Sequence, residues 1–103
     1  MYAMDGLLNL VNAKKAGELH LDFGVPPAIQ VQGELHTIEG PLVSPENIEL
    51  LLQNIASEKQ IRDIKRRGNS KFVYPFDVAS HFRVSVRTSG KSFSMKLYNL
   101  EQK

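Results

Sequence analysis

Apolar and polar residues recur with regular spacing along most of the chain. Three stretches have the apolar spacing of amphipathic helices, at 4–15, 45–55 and 58–67. Six stretches have the alternation of half-buried strands, at 18–23, 28–32, 35–38, 71–76, 81–87 and 92–98. The predicted order is α-β-β-β-α-α-β-β-β, which favours an α+β fold with a mostly antiparallel sheet and helices packed on one face.

Several residues indicate where the helices begin and end. Ser44 before Pro45 is typical of an N-cap followed by the first helical position. Ser57 and Gln60 have the spacing of a capping box, and Gly68 is expected to end the helix that this box begins.

Glycine and proline predict the turns. Gly17 is expected just beyond the first helix, with the basic pair at 14–15 in its last turn. A tight turn at 33–34 is expected to fold residues 28–38 into a hairpin. Pro75 limits strand pairing, which favours an edge strand or an early strand end.

The strand at 81–87 alternates most regularly. Its inward residues are expected to be Phe82, Val84 and Val86. Arg83 and Arg87 then lie on the opposite face, roughly 13 Å apart, and Lys96 of the next strand is expected on a polar face as well. A face with guanidinium groups can bind phosphate or carboxylate, although an ordinary solvated face explains the same pattern.

Composition and charge narrow the possible functions. The chain has 103 residues and no cysteine, which excludes thiol chemistry and cysteine-ligated metals, and it contains no GxxxxGK[ST] or GxGxxG motif. Residues 1–60 carry three lysines against eight acids, whereas residues 61–103 carry ten Lys and Arg against three acids. This asymmetry indicates either a charged partner for the C-terminal part or a balance of charge within one domain.

The histidines do not predict a metal site. His20, His36 and His81 are distant in sequence and are all expected on outward strand faces. Because no Asp or Glu at a fixed spacing supplies a further ligand, no metal is expected.

Three stretches resemble one known family. The sequence AGELHLDFGVPP at 16–27 is similar to its ASDLHL…G-x-PP segment, and IQVQGEL at 29–35 resembles its I-R-x-[DN]-G-x-[LV] hairpin. FVY at 72–74, followed by HFRVSV at 81–86, resembles its D-F-S-[FY]…R-F-R-V-N-x-F strands. The family is the PilT/PilB/GspE group of type IV pilus and type II secretion ATPases, and the resemblance is strongest to its twitching-motility branch.

The resemblance implies a PAS-like N-terminal domain that precedes a RecA-like ATPase core. Residues 1–103 would then be a single non-catalytic domain without that core, either excised from a longer protein or free-standing. ATP and magnesium would be bound by the missing core, and the domain itself would hold no cofactor. The expected partner is the core of the same or a neighbouring subunit, with a hexamer only in the full-length context. The expected location is cytoplasmic, extending to the inner face of the cell membrane, without membrane insertion.

The resemblance also implies site residues. The residues near the nucleotide at the subunit junction would be Arg83, Arg87 and Lys96. The family-motif residues are His20, Pro26, Pro27 and Gly33. The chain departs from the family at Lys71, where the family has Asp, at Ser85, where it has Asn, and at Arg87, where it has Phe.

Two other functions remain open at this stage. One is a stand-alone PAS-like adaptor that binds a protein or a small ligand, which an apolar internal pocket beneath the sheet would favour. The other is a nucleic-acid-binding module, which a basic stripe with exposed aromatic rings would favour. Nucleic acid is the less expected partner because the outward strand faces lack interleaved aromatic residues.

Overall fold

A computed structural model describes residues 1–90 and 92–100. Within them lie three helices and six strands: α1 (Met4–Ala13), β1 (Glu18–Asp22), β2 (Ala28–Val31), β3 (Glu34–Thr37), α2 (Pro45–Ile55), α3 (Glu58–Arg67), β4 (Asn69–Asp77), β5 (Ser80–Ser89) and β6 (Ser92–Asn99). The order of elements matches the predicted order. The longest helix has 11 residues, and no helix in this part of the chain is long and apolar enough to cross a membrane.

The six strands form one sheet in the order β3-β2-β1-β6-β5-β4. Every neighbouring pair is antiparallel, so the predicted α+β class and antiparallel sheet are confirmed. β4 lies at one edge, as Pro75 predicts, and its pairing with β5 shifts between Pro75 and Asp77. β3 forms the other edge and pairs only with β2 within the described chain.

The core lies between the three helices and one face of the sheet. The strand residues in it include Leu19, Leu21, Phe82, Val84 and Leu97, which are all fully buried. The buried apolar residues of the helices join them in a single cluster. The radius of gyration is 12.8 Å, close to the ~13 Å expected for a domain of this length.

The predicted beginnings of α2 and α3 and the predicted end of α3 are confirmed. The hydroxyl of Ser44 accepts a hydrogen bond from the backbone N–H of Asn47 at 3.0 Å. Ser57 and Gln60 form the reciprocal capping box, with distances of 2.8 and 3.1 Å. Gly68 ends α3 in the left-handed conformation with φ of 89°. These local signals depend on neighbouring residues alone, which is why the sequence reveals them.

The predicted end of α1 is wrong. The helix stops at Ala13, Lys14 is its C-cap, and Lys15 takes the left-handed conformation with φ of 55°. The two lysines therefore follow the helix instead of lying in its last turn, and Gly17 is not its terminating residue. Gly17 instead donates its N–H to the carbonyl of Gln30 at 2.9 Å, because it leads into β1 beside β2.

The tight turn of the hairpin lies one residue earlier than predicted. Gln32 and Gly33 connect β2 to β3, and their φ values of 51° and 82° fit a two-residue turn of the mirror-image kind. The second turn, expected at residues 88–91, begins later than predicted, because Thr88 and Ser89 still pair with β6 as part of β5. Lys91 lies outside the described residues. The strand expected at 18–23 ends at Asp22, so Phe23 lies beyond it and is 39% exposed.

Candidate interaction face

The side of the sheet opposite the helices is called the open face here. Strand alternation fixes its composition, because the residues between buried positions must point away from the core. On β5, Phe82, Val84 and Val86 are at most 1% exposed, as predicted. Arg83 and Arg87 lie between and beyond them and are exposed on the open face.

Four cations surround Ser85 on the open face. Lys71 of β4 and Lys96 of β6 are its direct cross-strand neighbours, one on each side. Arg83 and Arg87 lie two residues away along β5, at roughly 7 Å, whereas the cross-strand spacing is roughly 5 Å. All four cations are exposed. These four residues are called the basic cluster below.

The structure therefore brings together the three basic residues that the sequence placed near a partner. Arg83, Arg87 and Lys96 share one face, and Lys96 lies level with the midpoint between the two arginines. Lys71 was missed as a site residue because its position depends on the register between β4 and β5. The sequence does show that Lys71 precedes Phe72 in an alternating strand, which puts the two side chains on opposite faces of the sheet.

The basic cluster is not neutralised by acidic residues in the described structure. The three ion pairs within residues 1–90 and 92–100 join His20 to Glu18, His36 to Glu34 and Arg66 to Asp63. None of them includes a residue of the basic cluster. Four like charges on neighbouring positions repel each other, so an anionic partner would be favourable on this face.

The acids of the adjacent strand β1 have other contacts. Glu18 lies 3.0 Å from the ring of His20, and Asp22 accepts a hydrogen bond from the hydroxyl of Ser94. The guanidinium of Arg83 lies 5.0 Å from the centre of the Tyr98 ring, which is within the range of a cation–π contact. The hydrogen bonds do not remove the negative charges of Glu18 and Asp22, so these two acids offset the four cations only in part.

The surface of the basic cluster is shallow. A depression of about 170 Å³ is lined by side chains that include Ser85, Arg87, Lys96 and Tyr98. Ligand pockets usually measure about 300–1,000 Å³, so this depression is too small to enclose a nucleotide by itself. The geometry instead suits contact with a second surface that presents negative charge.

The family-motif residues divide into two groups. His20 lies on the open face directly opposite Lys96, so it borders the basic cluster. Pro26, Pro27 and Gly33 lie away from it, in the loop before β2 and in the hairpin turn. The carbonyl of Pro27 accepts a hydrogen bond from the N–H of Ile38 at 2.8 Å, which closes the base of the hairpin.

The expected orientation of one histidine is wrong. His36 pairs with the buried Ile29, so it lies on the helix side of the sheet and not on the outward face. It is still exposed because β3 is an edge strand without a helix above it. Within the described residues, no group of three His, Asp or Glu side chains could hold a metal ion.

The sequence and the fold of this chain are similar to those of known proteins. No family model matches the chain. The chain is 30% identical over 71 residues to the type IV pilus retraction ATPase PilT of Pseudomonas aeruginosa, which is 69% of this chain and 21% of that protein. It is 27% identical over 95 residues to the type IV pilus ATPase PilU of the same organism, which is 92% of this chain and 25% of that protein.

The solved structures agree with the sequence relatives. A crystal structure of the pilus retraction motor PilT with bound ADP matches all of this chain with a TM-score of 0.88 at 22% identity, over 30% of its own length. The chain is related to the N-terminal domain of the PilT/GspE-type ATPases. The ATPase DotB of Legionella pneumophila matches 93% of this chain with a TM-score of 0.80 at 18% identity, over 28% of its length. The chain thus spans about a quarter of these proteins.

Proposed function

We propose that this chain is a non-catalytic domain of a type IV pilus or secretion ATPase and docks through its open face on an ATPase core. Its relatives are named as ATPases, and the chain corresponds to a minor part of their length. The basic cluster carries the proposal, because four exposed cations on adjacent strands form no ion pair within the described residues. Such a face favours contact with a negatively charged surface.

The partner surface would be the core of the same or a neighbouring subunit, with its acidic side chains or its bound nucleotide facing the basic cluster. Arg83 would be the main contact, supported by Arg87 and Lys96, with Lys71 as an addition from the structure. ATP and magnesium would belong to the core, and a hexamer would form only in the full-length context. We place this assembly in the cytoplasm, including the inner face of the cell membrane.

The nucleic-acid alternative receives less support from the same face. Single-stranded nucleic acids are held by basic grooves combined with aromatic rings on which bases stack. Tyr98 borders the basic cluster, but it is only partly exposed and already faces the guanidinium of Arg83. The four cations therefore lack a free stacking partner beside them.

The test adds the purified ATPase core of Pseudomonas aeruginosa PilT to the isolated 103-residue chain. The chain alone should show no magnesium-dependent ATP turnover, because it has no loop to hold the phosphates. Light scattering of the chain alone should show a monomer or a weak dimer.

Arg83→Ala should weaken binding of the chain to the core by about tenfold or more, since a lost interfacial charge pair costs at least roughly 1.4 kcal/mol.

Arg62→Ala is the matched control because Arg62 is exposed on α3, which packs against the other side of the sheet. It should leave binding to the core unchanged. Equal losses in the two variants would show that the positive charge of the whole molecule drives binding, and not the open face. Turnover by the isolated chain would contradict its non-catalytic role.

A further inference from the structure

A second candidate site lies on the helix side of the sheet, at the end farthest from the basic cluster. A hollow of about 450 Å³ lies between α1 and the β2–β3 hairpin. Its apolar walls are Leu10 of α1 and Ile29, Val31 and Ile38 of the hairpin. Both its size and its apolar lining match those of small-molecule sites. This hollow is called the hairpin groove.

The groove exists because the three helices do not extend over the hairpin. α1 packs on β1, α2 packs on β6, and α3 packs on β4 and β5. The two outermost strands at the other edge, β2 and β3, have no helix of their own above them. Leu10, Val31 and Ile38 are consequently only partly buried, whereas Leu19 on the neighbouring β1 is completely buried. Partly exposed apolar side chains grouped in a concave surface favour an apolar ligand.

One end of the groove is basic. A second hollow of about 390 Å³ shares Lys14 and Val31 with the groove and continues it to Lys15 and the hairpin turn. Both lysines are exposed, and neither takes part in an ion pair within residues 1–90 and 92–100. Glu18 also borders this end, so the lining there carries two positive charges against one negative charge.

The opposite end of the groove has the opposite charge. Glu39 lines it just beyond β3, six residues after Gly33 of the hairpin turn, or roughly 20 Å along an extended chain. His36 lies between the two ends and is within 3.7 Å of Glu34. An anionic group is therefore favoured at the lysines and disfavoured at Glu39, which gives a bound ligand a direction.

We propose that the hairpin groove binds an aliphatic chain that ends in an anionic head group. The chain lies against Leu10, Val31 and Ile38, and the head group lies at Lys14 and Lys15. This chemistry is that of a free fatty acid or of an anionic phospholipid. The site goes beyond the proposed function because it uses the other side of the sheet and needs no ATPase core.

The first measurement titrates the 103-residue chain with soluble carboxylates of increasing length, from hexanoate to decanoate, below their micelle concentrations. The affinity should rise about fourfold for each added methylene, since each buried CH₂ contributes about 0.8 kcal/mol. Decylamine, with the same chain and a positive head, should bind at least tenfold more weakly than decanoate. The methyl resonances of Val31 and Ile38 should shift on titration.

Variants then separate the groove from unspecific binding. Val31→Thr keeps the shape of the side chain but adds a hydroxyl to the apolar wall, and it should weaken decanoate binding several-fold. Val73→Thr is its matched control, because Val73 is exposed on the open face of β4. Replacing Lys14 and Lys15 by Gln should remove the preference for decanoate over decylamine. The same change at Lys59 and Lys65, which are exposed on α3, should leave it intact.

Vesicles distinguish the two sources of the ligand. Binding to anionic phospholipid vesicles that Val31→Thr weakens supports a lipid in the groove, and binding to decanoate alone supports a free fatty acid. The proposal is overturned if neither probe binds, if affinity does not grow with chain length, or if Val31→Thr and Val73→Thr behave alike. None of these results depends on an ATPase core, so they leave the proposed function of the open face to its own test.

Discussion

The two ends of the sheet use the same strand alternation with different results. At the β4–β5–β6 end, the inward residues of β5 are at most 1% exposed and its outward residues include two arginines. At the β2–β3 end, all four residues of β3 are exposed, and Val31 is only partly buried. Where helices cover one side of a strand, the residues that point to the helices stabilise the core. The alternating residues between them point to the other side, where they can contact a partner. Where that cover ends, as on β3, both sides of the strand remain exposed.

Strand length contributes to this difference. β4 and β5 have nine and ten residues and pair along almost their whole length, whereas β2 and β3 have four residues each. Cross-strand pairs are the units that stabilise a sheet, so the long end supplies more of the stability. Short edge strands are also a way in which proteins limit unwanted strand pairing. The hairpin is therefore expected to contribute less to stability than the long strands, although Ile29 of β2 belongs to the core.

The largest expected effect on stability is at the β4–β5–β6 end of the sheet. Phe82→Ala should lower the free energy of unfolding by about 3–5 kcal/mol, because a fully buried aromatic side chain leaves a cavity when it is truncated. It also removes the edge-to-face contact with Phe76, whose ring centre lies 6.2 Å away. Urea denaturation followed by circular dichroism measures this change.

Val31→Ala is the counterpart at the hairpin end. Val31 is only partly buried, so its truncation should cost less than about 1 kcal/mol. A loss at Val31 as large as that at Phe82 would show that the hairpin belongs to the same packed unit as the rest of the sheet. The contrast between the two ends would then be wrong.

A medium effect is expected in the hairpin turn. Gly33 has φ of 82° and has open space around the position of a side chain, so Gly33→Ala tests backbone conformation alone. It should cost about 1–2 kcal/mol, the usual penalty for an alanine in the left-handed region. Gly17→Ala is the control, because Gly17 also has open space but lacks a positive φ, and it should be neutral or slightly stabilising. Equal changes in midpoint urea concentration would contradict this assignment.

The sequence predicts most of the fold because its signals are local. The capping box at Ser57 and the alternation around Val84 depend on residues a few positions apart, and both are confirmed. The end of α1 was misplaced because Lys15, a residue without glycine's freedom, adopts the left-handed conformation before Gly17. His36 was assigned to the wrong face because β3 is too short and too exposed for its burial pattern to reveal the direction.

The candidate site was predictable only in part for a related reason. The shared face of Arg83 and Arg87 follows from one strand, and it needs no knowledge of the sheet. The place of Lys96 and Lys71 beside Ser85 depends on register between strands, which the sequence of a single strand does not contain. The hairpin groove depends on where the helices stop, and that is a property of the whole fold.

The smallest expected effect on stability comes from introducing the same charged residue at the two ends of the open face. Ser85→Glu places a carboxylate among four cations, and opposite charges on neighbouring strands stabilise a sheet by roughly 0.2–1 kcal/mol. Thr37→Glu places the same side chain on the exposed open face of β3, opposite Ala28, without those cations. Because the same substitution has different costs on edge and central strands, only the salt-dependent part of the difference between the two variants reports on the four cations.

Ser85→Glu should therefore be the more stable of the two variants in urea denaturation at low ionic strength. In 1 M salt the screening length falls to about 3 Å, so the difference should shrink towards zero. If the two variants are equally stable at low salt, the cations around Ser85 do not create a strong local potential, and an anionic partner would gain little there. If the difference persists in 1 M salt, it arises from packing or hydrogen bonding and not from the charge of the basic cluster. Only a salt-sensitive gain confined to Ser85 supports an electrostatic role for this end of the sheet.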